Sequence, residues 1–369
     1  MKLYSIVLPA TLTSLGDHCF EWNKYMSSII IPDSVTSIGK GAFSNCSLNH
    51  VTFSNSLISI GDMAFMRSGL KEINLPNSLV SIGSSAFNEC FSLITLTIPN
   101  SVTTIGSSAF YNCYLTKVTL PNSLISIGNE AFFGCSEFTG ITLPNSITSI
   151  NYGTFMCCWG LTSMTIPNSV TSIGESAFFQ CSHLTSISIP NSVTSIGETA
   201  FAQCNRLTSI SIPNSVTSIG IYAFIYCDRF SSIYVYSSIP IYLSDTLIFT
   251  DNCKSTCILY VPAGSKSLYQ AANQWKDFTH IVEMAPNGMN ELTDKEHFIL
   301  YPNPVTEGFY IDAVEIPAMV SLYNLNGMKL LSRQITGKSY VNMAGVPSGL
   351  YFVKILTSKG IIEKKLIKK

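Results

Sequence analysis

The sequence predicts a mainly β solenoid followed by a small β-sandwich, and two observations lead to this fold class. The motif Ile-Pro-Asn-Ser-Val-Thr-Ser-Ile-Gly recurs with a period of 22 or 23 residues along the first part of the chain. A fixed period in the twenties is typical of solenoids, in which each repeat is one coil that packs on its neighbours. Near residue 298 the period is replaced by short alternating segments between turn residues. We therefore expect about ten coils of short strands and short helical turns, then a small Ig-like β domain.

The 369 residues divide into four predicted parts. We expect regular repeats over 1–234, degenerate repeats with a cap over 235–283, a linker over 284–297 and the sandwich over 298–369. Only 12% of the residues are charged and the net charge is -1, which argues against nucleic-acid binding through a basic surface. No apolar stretch reaches the roughly 18 residues of a transmembrane helix.

One repeat illustrates how a coil is predicted. Ile187 and Ile189 alternate with small polar residues, which indicates a strand with one buried face. Pro190 ends this strand because proline cannot donate to a strand ladder, and Asn191 and Ser192 favour a turn. The prolines at this position are Pro9, Pro32, Pro76, Pro99, Pro121, Pro144, Pro167, Pro190 and Pro213, with Ser54 in the remaining repeat.

A glycine follows the second apolar segment of each repeat. Val193 and Ile196 point inward, and Gly197 comes next, while Asn151 stands at this place in one repeat. Because asparagine tolerates positive φ best after glycine, we expect a left-handed backbone here. The glycines are Gly16, Gly39, Gly61, Gly83, Gly106, Gly128, Gly174, Gly197 and Gly220.

The last part of each repeat carries an alanine, a phenylalanine and a cysteine. In the unit at Ala200, Phe201 and Cys204 the spacing fits one helical face, which predicts a short helical turn packed inward. We expect one stacked column of Phe20, Phe43, Phe65, Phe87, Phe110, Phe132, Phe155, Phe178, Phe201 and Phe224. A second buried column is Cys46, Cys90, Cys113, Cys135, Cys158, Cys181, Cys204 and Cys227.

The cysteine column is interpreted as small buried hydrophobic side chains with free thiols. Parallel side chains aim the sulfurs badly for disulfides, and no Cys-x-x-Cys or histidine set suggests a metal. Cys253 and Cys257 lie outside the column, and a disulfide between them stays open for an oxidising compartment. No catalytic or cofactor motif is found, so we expect a non-enzymatic protein without cofactors.

The outward side of the repeat strands is the expected binding surface. One outward column is His50, Glu72, Thr95, Lys117, Gly140, Ser163, Ser186, Ser209 and Ser232. The next is Thr52, Asn74, Thr97, Thr119, Thr142, Thr165, Ser188, Ser211 and Tyr234. His50, Glu72 and Lys117 are the candidate partner-binding residues because the charged side chains concentrate there. The alternative is that threonine and serine simply suit an exposed sheet.

The end of the array is predicted to be capped. Ile258 to Pro262 is expected to form a last strand, and Ser265 to cap a short helix. Leu268, Ala272 and Trp275 would share the buried face of that helix.

The pattern Leu-x-x-Ile-x-Ile-Pro-x-Ser-Val-x-x-Ile-Gly-x-x-Ala-Phe-x-x-Cys resembles the BspA-type leucine-rich repeat over about residues 4 to 283. Members of that family are typically secreted or surface proteins of bacteria and some protists. The resemblance implies a leucine-rich-repeat solenoid that binds host proteins or other cells.

The C-terminal segment carries four motifs in order: YPNP, LYNLNG, PSGLYFVKI and a terminal KKLIKK. They resemble the C-terminal sorting domain of type IX secretion cargo in Bacteroidetes-type bacteria. The resemblance implies partners in the secretion machinery and a sortase-like protease, and attachment to the outer-membrane surface. The motif residues are Tyr301, Pro302, Asn303, Pro304, Asn326, Gly327, Gly349, Tyr351, Lys364 and Lys365.

Together these features predict a secreted or cell-surface protein that mediates protein binding or adhesion. Two alternatives remain: the C-terminal part of a larger exported enzyme, or a structural surface-layer component. Residues 1–9 lack the apolar run of a signal peptide. Since such cargo needs an inner-membrane export signal, we expect that the N-terminus is truncated or misassigned.

Overall fold

The structure is a computed structural model whose described residues fall into two compact units, Met1–Glu283 and Met284–Lys369. The predicted linker at 284–297 lies outside the described residues, apart from Met284. The structure describes residues 3–243, 247–284, 299–302, 304–312, 318–324, 328–335, 338–357 and 360–369.

The first unit is the predicted solenoid, and each regular coil has a two-residue back strand before its glycine position. These strands pair in parallel, with serine or threonine opposite serine and isoleucine or leucine opposite isoleucine. The back strands are β1 (Ser14–Leu15), β3 (Ser37–Ile38), β5 (Ser59–Ile60), β6 (Ser81–Ile82), β8 (Thr104–Ile105), β10 (Ser126–Ile127), β11 (Ser149–Ile150), β13 (Ser172–Ile173), β15 (Ser195–Ile196) and β17 (Ser218–Ile219).

A longer front strand precedes the proline position in most coils, and front strands also pair in parallel. Their inward side chains meet those of the back strands in a single core. The front strands are β2 (Ser28–Ile30), β4 (His50–Thr52), β7 (Thr95–Thr97), β9 (Lys117–Thr119), β12 (Ser163–Thr165), β14 (Ser186–Ser188), β16 (Ser209–Ile212) and β18 (Ser232–Val235).

The phenylalanine column is confirmed. Successive ring centroids from Phe20 to Phe224 lie 5.2 to 5.9 Å apart, with the ring planes within 16° of parallel. Phe249 continues the column at 5.4 Å from Phe224, although no regular repeat contains it. Because each ring is shared between two interfaces, the column ties every coil to both neighbours.

The segment after the glycine is a series of tight turns, and the predicted helical turn is wrong in this respect. The Ala42 N–H donates to the Gly39 carbonyl within its own coil, whereas the Phe43 N–H donates to the Ala64 carbonyl of the next coil. A helix would direct all of these donors to its own carbonyls. Successive N–H groups therefore alternate between carbonyls of their own coil and carbonyls of the next coil. This alternation lets the turn segment bond to the following coil as a strand does.

The expectation of a left-handed backbone at the repeat glycine is also wrong. The reason for glycine is close packing: a Cβ on Gly197 would lie 2.4 Å from the Glu175 nitrogen and 2.5 Å from the Gly174 carbonyl carbon. Only a residue without a side chain allows the coils to approach so closely. Positive φ, between 49° and 59°, occurs two residues later, at His18, Gly41, Met63, Ser85, Ser108, Glu130, Gly153, Ser176, Thr199 and Tyr222.

The cysteine column links consecutive coils through the thiols. Cys90 Sγ donates to the Phe65 carbonyl at 3.2 Å, and the other seven thiols make the same bond at 3.0 to 3.3 Å. In one of the two repeats without this cysteine, Ser68 Oγ donates to the Phe43 carbonyl at 3.3 Å. Burial raises the pKa of the Cys90 thiol to about 12, so the column stays protonated at neutral pH.

After Val235, two more strands continue the front sheet in parallel, joined by short helices, and the helix faces differ from the prediction. Leu268 is exposed, and Tyr269 is buried in its place, with its hydroxyl donating to the Ser237 carbonyl at 2.7 Å. Ser265 begins the helix without a side-chain capping bond. Cys253 and Cys257 are buried free thiols. The elements are α1 (Asp251–Thr256), β19 (Ile258–Val261), α2 (Lys266–Ala271), a 3₁₀ helix (Trp275–Asp277) and β20 (His280–Glu283).

The second unit is a small domain of two antiparallel sheets, as predicted. One sheet has the order β21-β22-β25 and the other β24-β23-β26-β27. Side chains from both sheets, including Phe309 and Val353, form one buried core. The strands are β21 (Ile299–Tyr301), β22 (Gly308–Asp312), β23 (Ala318–Asn324), β24 (Lys329–Ile335), β25 (Ser339–Asn342), β26 (Gly349–Thr357) and β27 (Gly360–Lys368).

Candidate functional site

The front face of the solenoid presents regular columns of short polar side chains. In β7, Leu96 is buried while Thr95 and Thr97 are exposed, and the three-residue front strands share this alternation. The strand register places Thr95 opposite Lys117 and Thr97 opposite Thr119. Because successive side chains of a strand point to opposite sides, the outward residues of neighbouring coils form continuous rows.

His50, Glu72 and Lys117 all lie on this face and are exposed. His50 opens β4 and Lys117 opens β9, whereas Glu72 stands in a coil whose front segment is not a strand. His50 and Glu72 belong to consecutive coils, and the coil of Thr95 separates Glu72 from Lys117. The three side chains are therefore exposed on the front face, and their role as contacts for a partner stays a prediction.

An open groove of about 1040 Å³ crosses four consecutive coils of the front face. Lys117 is the charged residue of its lining, and Gly140 leaves a gap in the outward column. The groove was not predicted from the sequence, although a glycine among side-chain-bearing neighbours is a signal for it. Its hydroxyl-bearing lining residues are Thr119, Thr142, Ser163, Thr165, Ser186 and Ser188.

The groove lies at one of the interruptions of the front sheet. Strand β9 does not pair with the following coil, and residues 140–142 make a single bridge, from Thr142 to Thr165. The lining of this groove includes apolar side chains such as Val118, Ile141 and Met164 as well as polar groups. The lining offers hydroxyl groups, one ammonium group and backbone groups for binding, and it contains no carboxylate.

The groups that could hold a metal ion or act as nucleophiles can be located among the described residues. Within the described ranges, no group of three or more His, Cys, Asp or Glu side chains is placed to hold a metal ion. The described helices are all too short or too polar to cross a membrane. Burial raises the pKa of the Cys113, Cys135, Cys158, Cys181 and Cys204 thiols well above the ordinary value, so they are poor nucleophiles.

Most of the predicted motif residues that the structure describes in the second unit are exposed. Tyr301 stacks on Tyr310 with centroids 5.6 Å apart, and Tyr310 contacts Tyr340 at 5.0 Å. The ammonium group of Lys338 lies 5.3 Å from the Tyr301 ring centroid and 5.6 Å from that of Tyr310. Aromatic rings beside a cation form a surface that can contact both apolar and anionic groups.

The remaining motif residues fix the last two strands. Tyr351 is buried, and its hydroxyl donates to the Pro347 carbonyl at 2.7 Å, which holds the turn before β26. Lys364 and Lys365 are exposed on β27, which pairs along its whole length with β26, beginning at Gly349. Pro302 and Pro304 are exposed, and Asn303, Asn326 and Gly327 lie outside the described residues.

Two family profiles match the chain. The BspA type leucine rich repeat region matches in six copies over residues 1–115 and 103–231. The secretion system C-terminal sorting domain matches residues 299–369. No curated protein sequence matches the chain significantly.

Three bacterial proteins are among the solved structures that the chain matches. A leucine-rich repeat protein from Bacteroides ovatus is 29% identical with a TM-score of 0.59, covering 75% of this chain and 77% of its own. The pneumococcal vaccine antigen PcpA is 22% identical with a TM-score of 0.49, covering 74% and 84%. A leucine-rich cell surface protein from Faecalibacterium prausnitzii is 26% identical with a TM-score of 0.38, covering 75% and 84%.

The repeat profile covers more than half of the chain and agrees with the coil structure, the phenylalanine column and the thiol column. The chain therefore belongs to the BspA-type leucine-rich-repeat family and carries a C-terminal secretion sorting domain.

Proposed function

We propose that this protein is exported by the type IX secretion system, displayed on the outer-membrane surface, and binds protein partners through the front face of its solenoid. The observation that carries the proposal is the combination of a secretion sorting domain at residues 299–369 with a repeat array. An export signal joined to a long exposed surface suits a protein that makes contacts outside the cell.

Residues 298–369 would interact with the secretion machinery and with a sortase-like protease that removes them. The exposed Lys364 and Lys365 on the last strand, and the Tyr301, Tyr310 and Lys338 cluster, are accessible surfaces for such contacts. This part of the proposal rests on the family match.

The front face is the favoured binding surface because it is exposed and repeats outward polar side chains over many coils. Its hydroxyl groups can donate or accept hydrogen bonds, so they suit a polar partner. The groove has the volume of a typical small binding site, on the order of 300–1,000 Å³. His50, Glu72 and Lys117 would supply polar and charged contacts, and Lys117 also lines the groove.

The binding proposal is tested with the purified array and a panel of purified host extracellular-matrix proteins, by surface plasmon resonance. Replacing His50, Glu72 and Lys117 together with alanine should weaken binding at least about tenfold, since charged contacts at a protein interface contribute on the order of 1–3 kcal/mol each. The matched control replaces Lys40, Glu175 and Glu198, which are exposed outside the front face.

The control variant should bind like the wild type. Equal binding by both triple variants would remove the three residues from the interface, and absence of binding to every protein in the panel would contradict the adhesion role.

A further inference from the structure

Both sheets of the solenoid are interrupted at the same junction between coils. The back sheet of six strands ends at β10, and a separate back sheet of four strands begins at β11. The front strand β9 is likewise unpaired on the side of the next coil. Front strands are also unpaired after β4 and after β14, but the back strands pair across those two junctions. At the other junctions between β1 and β17 the back strands pair without a break.

The backbone hydrogen bonds show what is lost there. At the junction after this one, Thr171 N–H donates to Thr148 O at 2.8 Å and Gly174 N–H donates to Ile150 O at 2.7 Å. The amides of Thr148 and Asn151 occupy the equivalent places at the interrupted junction. Within this described stretch, neither of those two amides donates to a backbone carbonyl of the preceding coil.

Asn151 explains the interruption, because it stands where the other regular coils have glycine. A Cβ on the next glycine, Gly174, would lie 2.8 Å from the Asn151 carbonyl carbon, and a Cβ on Gly128 would lie 2.4 Å from a backbone nitrogen. A side chain at this position therefore requires the coils to separate. The Asn151 side chain replaces the missing backbone donor, since Nδ2 donates to the Ile127 carbonyl at 2.6 Å.

The turn segments after the glycine position remain hydrogen-bonded across the same junction. Glu130 N–H donates to Tyr152 O at 2.8 Å, and Gly134 N–H donates to Met156 O at 2.8 Å. The stacked rings also continue, although the Phe132–Phe155 distance of 5.9 Å is the longest of the regular column. A junction that is bonded along one edge and open along the two sheets has the geometry of a hinge.

We propose that this junction is a hinge that divides the solenoid into two cooperative units, residues 3–135 and 136–283. The solenoid opens at this junction before either unit unfolds, because fewer backbone bonds hold the two coils together. The groove on the front face lies across the hinge, with Lys117 and Thr119 on one unit and Thr142 and Thr165 on the other. Opening of the hinge therefore changes the width of the groove.

The hinge is tested by amide hydrogen exchange, resolved to single residues, on the full chain. In the wild type the amides of Thr148 and Asn151 should exchange at least about tenfold faster than those of Thr171 and Gly174. Asn151→Gly should slow exchange at position 148 toward the rate at Thr171, because the coils can then approach. Asn151→Ala keeps the Cβ, removes the bridging amide, and should speed exchange further.

Urea unfolding of the same proteins gives a second measurement. The wild type should unfold in two transitions, and Asn151→Gly should merge them into one. Wild-type exchange at Thr148 as slow as at Thr171, or identical behaviour of the glycine and alanine variants, would overturn the proposal. The glycine variant matches the neighbouring repeats, so it is expected to fold.

Discussion

The cysteine of each repeat acts as a hydrogen-bond donor between coils as well as a core residue. Its thiol reaches the phenylalanine carbonyl of the preceding coil, and Ser68 makes the equivalent bond with its hydroxyl. The sequence predicted the burial of this column, because eight cysteines share one repeat position. It did not predict the bond, because the acceptor is a backbone atom of another coil.

Alkaline pH should destabilise the array through these thiols. The pKa of Cys90 is raised to about 12 by burial, whereas an unfolded thiol ionises near pH 9. The unfolded state thus loses its proton first, so stability is complete below about pH 9 and falls as pH rises toward 12. The loss is about 1.4 kcal/mol per pH unit for each such thiol.

Cys90→Ser should reduce that pH dependence by about 1.4 kcal/mol per unit between pH 9 and 12, since serine keeps a donor and does not ionise. Urea unfolding at several pH values measures the slope. The control is Cys19→Ser at an exposed position, which should change the slope much less. The same slope for Cys90→Ser and the wild type would show that the buried thiol does not control alkaline stability.

At the scale of the coil, the close packing of neighbouring coils depends on the repeat glycine, which has no side chain. The period predicted the coils, the inward columns and the outward rows, because each follows from residue spacing within one repeat. The predicted left-handed conformation of the repeat glycine was wrong. A sequence shows that the position excludes a side chain, but it does not show whether backbone conformation or close packing is the cause. The interrupted junction at Asn151 and the groove were missed for a similar reason, since both depend on bonds between coils.

Gly197→Ala should destabilise the array by about 1–3 kcal/mol, because the added methyl group overlaps backbone atoms of the preceding coil. Gly16→Ala is the matched control, since a Cβ on Gly16 in the first coil meets nothing within 4 Å. It should be neutral or stabilise by up to about 1 kcal/mol. Urea unfolding midpoints compare the two variants. Equal effects would mean that contact between coils is not the reason for the glycine.

The chain combines an array of coils, each stabilised by packing on its neighbours, with a second β unit that carries the sorting motifs. The sequence predicted this organisation because the period stops where the motifs begin. The sequence could not identify a partner. An outward column of threonine and serine indicates that the surface is exposed, but not the shape of the molecule that binds there. The family match is the basis for the proposed export, and the front face is the proposed surface for binding a partner.

Deletion of residues 298–369 tests the central claim that the array is built to be exported by its sorting unit. Cells producing the full chain or the shortened chain are separated into surface, secreted and internal fractions, and the array is detected with an antibody. We expect the full chain on the surface or in the medium. The shortened chain should be folded, as judged by resistance to protease, and retained inside the cell. Equal surface display of both chains would contradict the account.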